Sequence, residues 1–185
     1  MRKTINCFIP YEENTAIDKV VTALKDSIVV NKIYLLTTAH GSMPSVPAGC
    51  EPFTIDSLNS SDTIKKIAQK ADTPFTLLYT KASPFELGYM ALERIADFLQ
   101  DRKTGMVYAD HYEWKEGEKK KHPAIDYQPG SVRDDFDFGA LLAFRSEYLI
   151  GAAGMMENER EDYRYAGLYA TRLFIAETGR IVRSE

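Results

Sequence analysis

Cysteine is scarce in this sequence, with 2 among 185 residues. Cys7 lies in an apolar run and Cys50 in a loop rich in Pro and Gly, without Cys-x-x-Cys spacing and with no secretory signal ahead of them. That pattern excludes a disulfide framework and points to a reducing cytoplasm. Long apolar runs are also missing. The segment after Met1-Arg2-Lys3 is interrupted by Asn6 and stops at Pro10, and nothing approaches the roughly 20 residues of a membrane span. No excess of positive charge exists either: 23 Lys and Arg stand against 27 Asp and Glu, a net charge of -4. This argues against a nucleic-acid surface. The local run Lys119-Lys120-Lys121 reads as a solvated hairpin tip or as a contact for an acidic partner. The chain has no internal repeat, low-complexity segment, Ser-His-Asp order, Walker loop or dinucleotide fingerprint.

What is present is an alternation of strand and helix patterns. At 44% hydrophobic over 185 residues, the chain can bury one sizeable core, so residues 1–185 are expected to form a single domain. Its end at Glu185, just past the last expected strand, favours excision from a longer protein. Residues 4 to 9 read as a strand that stops at Pro10, and Asn14 opens a helix with Ile17, Val20, Val21 and Leu24 at helical spacing. Ile33 to Leu36 is a second strand, followed by a long loop from Thr37 to Pro52, and such loops tend to be functional. Phe53 to Ile55 follows as a short strand, and Ser60 or Ser61 caps a helix carrying Ile64, Ile67, Ala68 and Ala71. From Gly105 the pattern becomes a hairpin turning at Glu116-Gly117-Glu118. Gly139 to Phe144 reads as a buried strand. Glu159 to Glu177 reads as one long helix stopping at Gly179, and Ile181-Val182 as a last strand.

Residues 73 to 99 carry the most specific local signal. The apolar run Pro74 to Tyr79 breaks into Thr80-Lys81-Ala82 and then Ser83-Pro84-Phe85-Glu86. Ser83 suits a helix cap, Pro84 the first helical position, and Glu86 the capping-box acid. A helix starting there would aim free amides and the positive dipole end at the loop, beside the Lys81 ammonium, which suits phosphate. An ordinary strand-to-helix turn with a solvated lysine is the competing reading.

Several segments, in this order, resemble family 2 glycosyltransferases. Ile5 to Tyr11 followed by Glu12-Glu13-Asn14 is similar to the family's first strand and the mouth of its donor site. Gly105 to Asp110 resembles its strand ending in Tyr-x-Asp, and Phe138 to Arg145 its Gly-containing strand running into Arg. Leu168-Tyr169, Arg172-Leu173 and Gly179-Arg180-Ile181-Val182 resemble its closing helix and strand. The resemblance covers nearly the whole chain. It implies an α/β fold of the GT-A type: one sandwich with a mixed, mostly parallel central sheet, flanking helices and a β-hairpin near residues 105–127.

The resemblance further implies transfer of a sugar, with inversion, from a nucleotide-sugar donor to a glycan or lipid-linked acceptor. The alternative is a degenerate domain that binds a nucleotide, glycan or protein partner without transfer. The implied donor site comprises Pro10, Tyr11, Glu13, Thr37, Thr80, Lys81, Ser83 and Asp110, with Asp162 and its neighbour Glu161 as catalytic base. A register set on Leu168, Tyr169, Arg172 and Leu173 instead puts Gly167 and Ala170 at the expected acidic positions. The family's paired aspartates, which hold Mg or Mn against the pyrophosphate, are replaced by Tyr79, Thr80 and Lys81, and Thr37-Thr38 stands where an aspartate often meets the nucleobase. No metal is therefore expected at the donor site, and nucleotide binding should withstand EDTA. Attachment to the cytoplasmic face of a membrane would come from other parts of a longer protein.

Some constellations keep two readings. His111 and His122 face each other if the hairpin turns at Gly117, as a metal site or as an ordinary wet-surface pair with Asp110 and Glu113. Asp134-Asp135-Phe136-Asp137 lines an acceptor side or forms a charged turn. Tyr108, Tyr112 and Trp114 share one strand face as a stacking platform or as packing. Tyr163 and Tyr165 flank a polar helix start.

Overall fold

The computed structural model describes residues 3–12, 16–38, 46–128, 130, 136–160 and 162–184. The near-continuous apolar run of β1 (Ile5–Pro10), broken only at Asn6, gives it two buried faces. Ile5, Cys7 and Ile9 pack with Val20, Val21 and Leu24 of α1 (Asp18–Asp26), while Phe8 points to the opposite layer. β2 (Val30–Thr38), β3 (Glu51–Ile55), α2 (Ser61–Gln69) and β4 (Phe75–Tyr79) follow. The Ser60 hydroxyl accepts from the Thr63 amide at 3.2 Å and caps α2.

β1, β2, β3 and β4 pair in parallel, with α1 connecting β1 to β2 and α2 connecting β3 to β4. The remaining elements are α3 (Ala91–Phe98), β5 (Thr104–Ala109), β6 (His111–Lys115), β7 (Glu118–His122), β8 (Leu141–Arg145), α4 (Ser146–Asn158), α5 (Gly167–Thr178) and β9 (Arg180–Ser184). The central sheet has seven strands in the order β3-β2-β1-β4-β8-β5-β9. α1 and α3 cover one face, and α2, α4 and α5 the other. Among the described residues, no helix is long and apolar enough to cross a membrane.

The α/β class, the side-by-side placement of β2, β1 and β4, and the hairpin agree with the sequence reading. The turn between β6 and β7 has positive φ at both Glu116 and Gly117, 56° and 80°, the requirement of a type I′ turn. Three expectations are corrected. Antiparallel pairing in the main sheet comes from β8, which runs against both β4 and β5, whereas β6 and β7 form a separate two-stranded sheet.

The long helix from Glu159 does not form. α4 ends near Asn158, Arg160 turns left-handed at φ 57°, and α5 starts only at Gly167. Tyr163 is held between them by the start of α2, its amide donating to Ser61 Oγ at 2.8 Å and its carbonyl accepting from the Ser61 amide at 2.8 Å. α4 itself escapes the sequence pattern because it is apolar on several sides rather than along one stripe.

The third correction concerns Ser83. α3 starts at Ala91, with Met90 left-handed before it, so Ser83 does not cap it and α3 does not begin beside Lys81. Phe85 and Leu87, both half-buried against the apolar layer, alternate with exposed Glu86 and Gly88. This two-residue period suits an extended chain, not a helix. Tyr79 fixes the arrangement by packing on Phe85 at 4.3 Å between ring centroids and by placing its hydroxyl 3.1 Å from Ser83 Oγ.

Candidate active site

Parallel strands of an α/β sheet leave their carboxyl ends open to ligand. On the α1/α3 face, the ends of β4, β5 and β9 border an open cleft of about 1660 Å³. Its other walls are the segment Lys81 to Ala91, the first turn of α1 and the hairpin. Lys19, Lys81, Arg94, Lys119, Lys121 and Arg183 line it, against Asp18, Glu86, Asp110 and Glu113. The cleft is therefore net positive in a chain whose net charge is -4. Tyr89, Tyr112 and Trp114 border it and are 90%, 57% and 69% exposed, an arrangement suited to stacking on a base or sugar face. Tyr108 does not join them. It is buried in β5, and its hydroxyl donates to the Ile125 carbonyl at 2.5 Å and accepts from the Tyr127 amide at 2.8 Å.

Lys81, Ser83 and Asp110 all line this cleft. Lys81 Nζ lies 3.9 Å from Glu113 Oε1 and its side chain is 57% exposed. Asp110 is committed to other work. It accepts from Arg183 Nε at 2.8 Å and Nη2 at 3.3 Å and from the Ala124 amide at 3.0 Å, and Lys121 Nζ stands 3.8 Å away. Arg183 also reaches Asp126 at 2.8 Å. Asp110 thus ties β9 and the strap after the hairpin to the end of β5.

The Arg183 hydrogen bonds hold the Asp110 carboxyl below the usual carboxylate range. A depressed carboxylate adds stability above its unfolded pKa, and that stability is lost as pH falls through the folded value. Asp110→Asn should therefore melt below wild type at pH 7, with the gap closing below about pH 4. Thermal melts of both proteins at pH 7 and pH 2.5 check this.

The other expected residues sit apart from the cleft. Pro10, Tyr11 and Thr37 lie at the adjoining sheet edge, where the Tyr11 amide donates to the Leu36 carbonyl at 2.8 Å and Thr37 is buried. Thr80 is turned to β8, its amide and hydroxyl donating to the Ala140 carbonyl at 2.8 and 3.1 Å. Asp162 is exposed, precedes α5 instead of starting a helix, and does not line the cleft. Glu13, Asn14, Asp134, Asp135 and Glu161 lie outside the described residues. At the end of β4, Tyr79, Thr80 and Lys81 offer no carboxylate and the Thr80 hydroxyl is already engaged, so these residues do not fit a divalent metal. Arg183 was missed by sequence reasoning, although the Arg after Ile181-Val182 continues a strand next to that of Asp110.

No family model matches the sequence, and no curated protein matches it. Solved structures do match. 2-C-methyl-D-erythritol 4-phosphate cytidylyltransferase from Thermus thermophilus superposes with a TM-score of 0.57 at 12% identity, over 98% of this chain and 88% of that one. CMP:2-keto-3-deoxy-manno-octonic acid synthetase complexed with CTP gives 0.59 at 10% identity, over 100% and 90%. Glucosyl-3-phosphoglycerate synthase from Mycobacterium tuberculosis, in complex with UDP, gives 0.53 at 10% identity, over 98% and 69%. At such identities the likeness is one of fold, a GT-A-like fold shared by nucleotidyltransferases and glycosyltransferases.

Proposed function

We propose that the cleft binds a nucleoside diphosphate sugar and that the chain transfers the sugar to a glycan or lipid-linked acceptor. The observation that carries this reading is the net-positive lining of a cleft at the carboxyl ends of the sheet, in an otherwise acidic chain. Lys81 supplies charge for the diphosphate, without a metal at the end of β4. Pro10 and Tyr11, both half-buried, offer the adjoining edge to the nucleoside, whereas Thr37 is buried, and the exposed aromatics offer a face to base or sugar. Inverting displacement needs a carboxylate that takes the acceptor proton. Asp110 is neutralised by Arg183, so in this reading the base is one of the cleft carboxylates Asp18 and Glu86 rather than Asp162, which does not line the cleft. The structural likeness to nucleotidyl- and glycosyltransferases supports a transfer function of this general kind.

A second reading, binding without transfer, is favoured by one specific observation: neither the end of β4 nor Asp110 presents an uncommitted carboxylate. One product analysis separates the readings. Incubation with a panel of nucleotide sugars and glycan acceptors should release nucleoside diphosphate. Intact donor despite measurable binding would support the second reading, and pyrophosphate released from a nucleoside triphosphate and a sugar phosphate would replace both with nucleotidyl transfer.

A further inference from the structure

The hairpin places His111 opposite His122 in register, with Glu113 two residues along the same strand and therefore on the same face. One ligand atom from each of the three residues lies within 4.8 Å of the others, and all three are half-buried. The two imidazole rings stack with centroids 4.8 Å apart at 27°. His111 Nε2 is 3.6 Å from Glu113 Oε1. On the other side, Asp137 Oδ2 holds His122 Nε2 at 2.9 Å while its Oδ1 accepts from the Gly139 amide at 2.7 Å. A carboxylate fixed in this way orients one ring nitrogen and leaves the other, Nδ1 of His122, as a lone-pair donor, the arrangement found behind metal-bound histidines.

We propose that His111, Glu113 and His122 bind a divalent transition cation of the zinc class, with a fourth coordination position open to the cleft that His111 and Glu113 line. Two imidazoles and one carboxylate match the preferences of zinc. Zinc–ligand bonds of about 2.1 Å in tetrahedral geometry put ligand atoms about 3.4 Å apart, against separations within 4.8 Å here, so side-chain rotations closing a gap of up to about 1.4 Å complete the site. Lys81, near Glu113, and Lys120, opposite it in register, are the cations that the metal must face. Both side chains are more than half exposed and can swing into water. Its ligands differ from the residues at the end of β4, where no metal fits, and its metal binding can be measured with no nucleotide present.

The test uses the full, tag-free chain, stripped with EDTA and desalted, and the metal alone as probe. Co²⁺ titration should give tetrahedral visible absorption saturating at one equivalent, and Zn²⁺ should displace it. The chain has 3 histidines, so His40→Gln is the internal control and should bind like wild type. His111→Gln and His122→Gln should each abolish the signal, Glu113→Gln should weaken it at least tenfold, and Asp137→Asn should weaken it about 10-fold or more without abolishing it. Far-UV circular dichroism of each variant verifies the fold. Failure of wild type to bind one equivalent, or retention of the signal by both His111→Gln and His122→Gln, or its loss in His40→Gln, overturns the proposal.

Discussion

Lys81→Ala is expected to lower the affinity for nucleoside diphosphates more than tenfold while changing affinity for the parent nucleosides little. Lys81 sits just past the end of β4, in the wall of the cleft, with most of its side chain in water and only a 3.9 Å approach to Glu113. Its charge is therefore free to move onto a ligand. A charge-assisted contact to phosphate contributes about 1.5 to 3 kcal/mol, which exceeds tenfold in binding. A nucleoside lacks the phosphates and should not register the change. Calorimetry with UDP, CDP, GDP, ADP and dTDP and their nucleosides decides it. Equal weakening of both ligand classes would show that Lys81 only shapes the cleft.

A comparably large effect on stability is expected for Gly167→Ala. A Cβ at Gly167 would stand 2.5 Å from the Ser61 amide nitrogen and 2.6 and 2.8 Å from the carbonyl carbon and oxygen of Ser60. These are backbone atoms and cannot rotate away. The Gly167 amide donates to the Asn59 carbonyl at 2.7 Å, so the start of α5 is pressed against the start of α2. Making room breaks such hydrogen bonds as well as straining the contact, together about 3 kcal/mol. For a chain of this size, that is a fall of roughly 6 to 12 °C in Tm. Gly88→Ala, where an added Cβ meets nothing within 4 Å, should stay within about 0.5 kcal/mol of wild type. Equal melting of the two variants would contradict the packing of α5 on α2.

These two residues also mark where the sequence could be read and where it could not. β1, β4 and the hairpin were legible because their signals are local: apolar runs closed by Pro10 and by Thr80, and a two-residue turn at Glu116-Gly117. The start of α3 was misread because Ser83-Pro84-Phe85-Glu86 satisfies every local rule for a helix start, while the tertiary contact of Phe85 with Tyr79 holds the chain extended. Gly167 stands at one register's place for the carboxylate expected as catalytic base, yet its identity answers to the backbone at the start of α2, more than 100 residues earlier in sequence. The Asp110–Arg183 pair was illegible for a similar reason. It depends on β5 and β9 lying side by side in parallel, a non-local register that no motif in the sequence records. Asp110 was identified as a site residue, but the partner that neutralises it was not.

The cleft at the carboxyl ends of β4, β5 and β9 is the proposed nucleoside diphosphate sugar site. Backbone amide NMR of the full 20.9 kDa chain, titrated with the five nucleoside diphosphates and their common sugar derivatives, tests it most directly. Saturable binding of at least one of them is expected, with shifts concentrated at residues 81–91, 109–114 and 183–184. Absence of binding by every ligand at millimolar concentration, or shifts confined to the face carrying α2, α4 and α5, would contradict it.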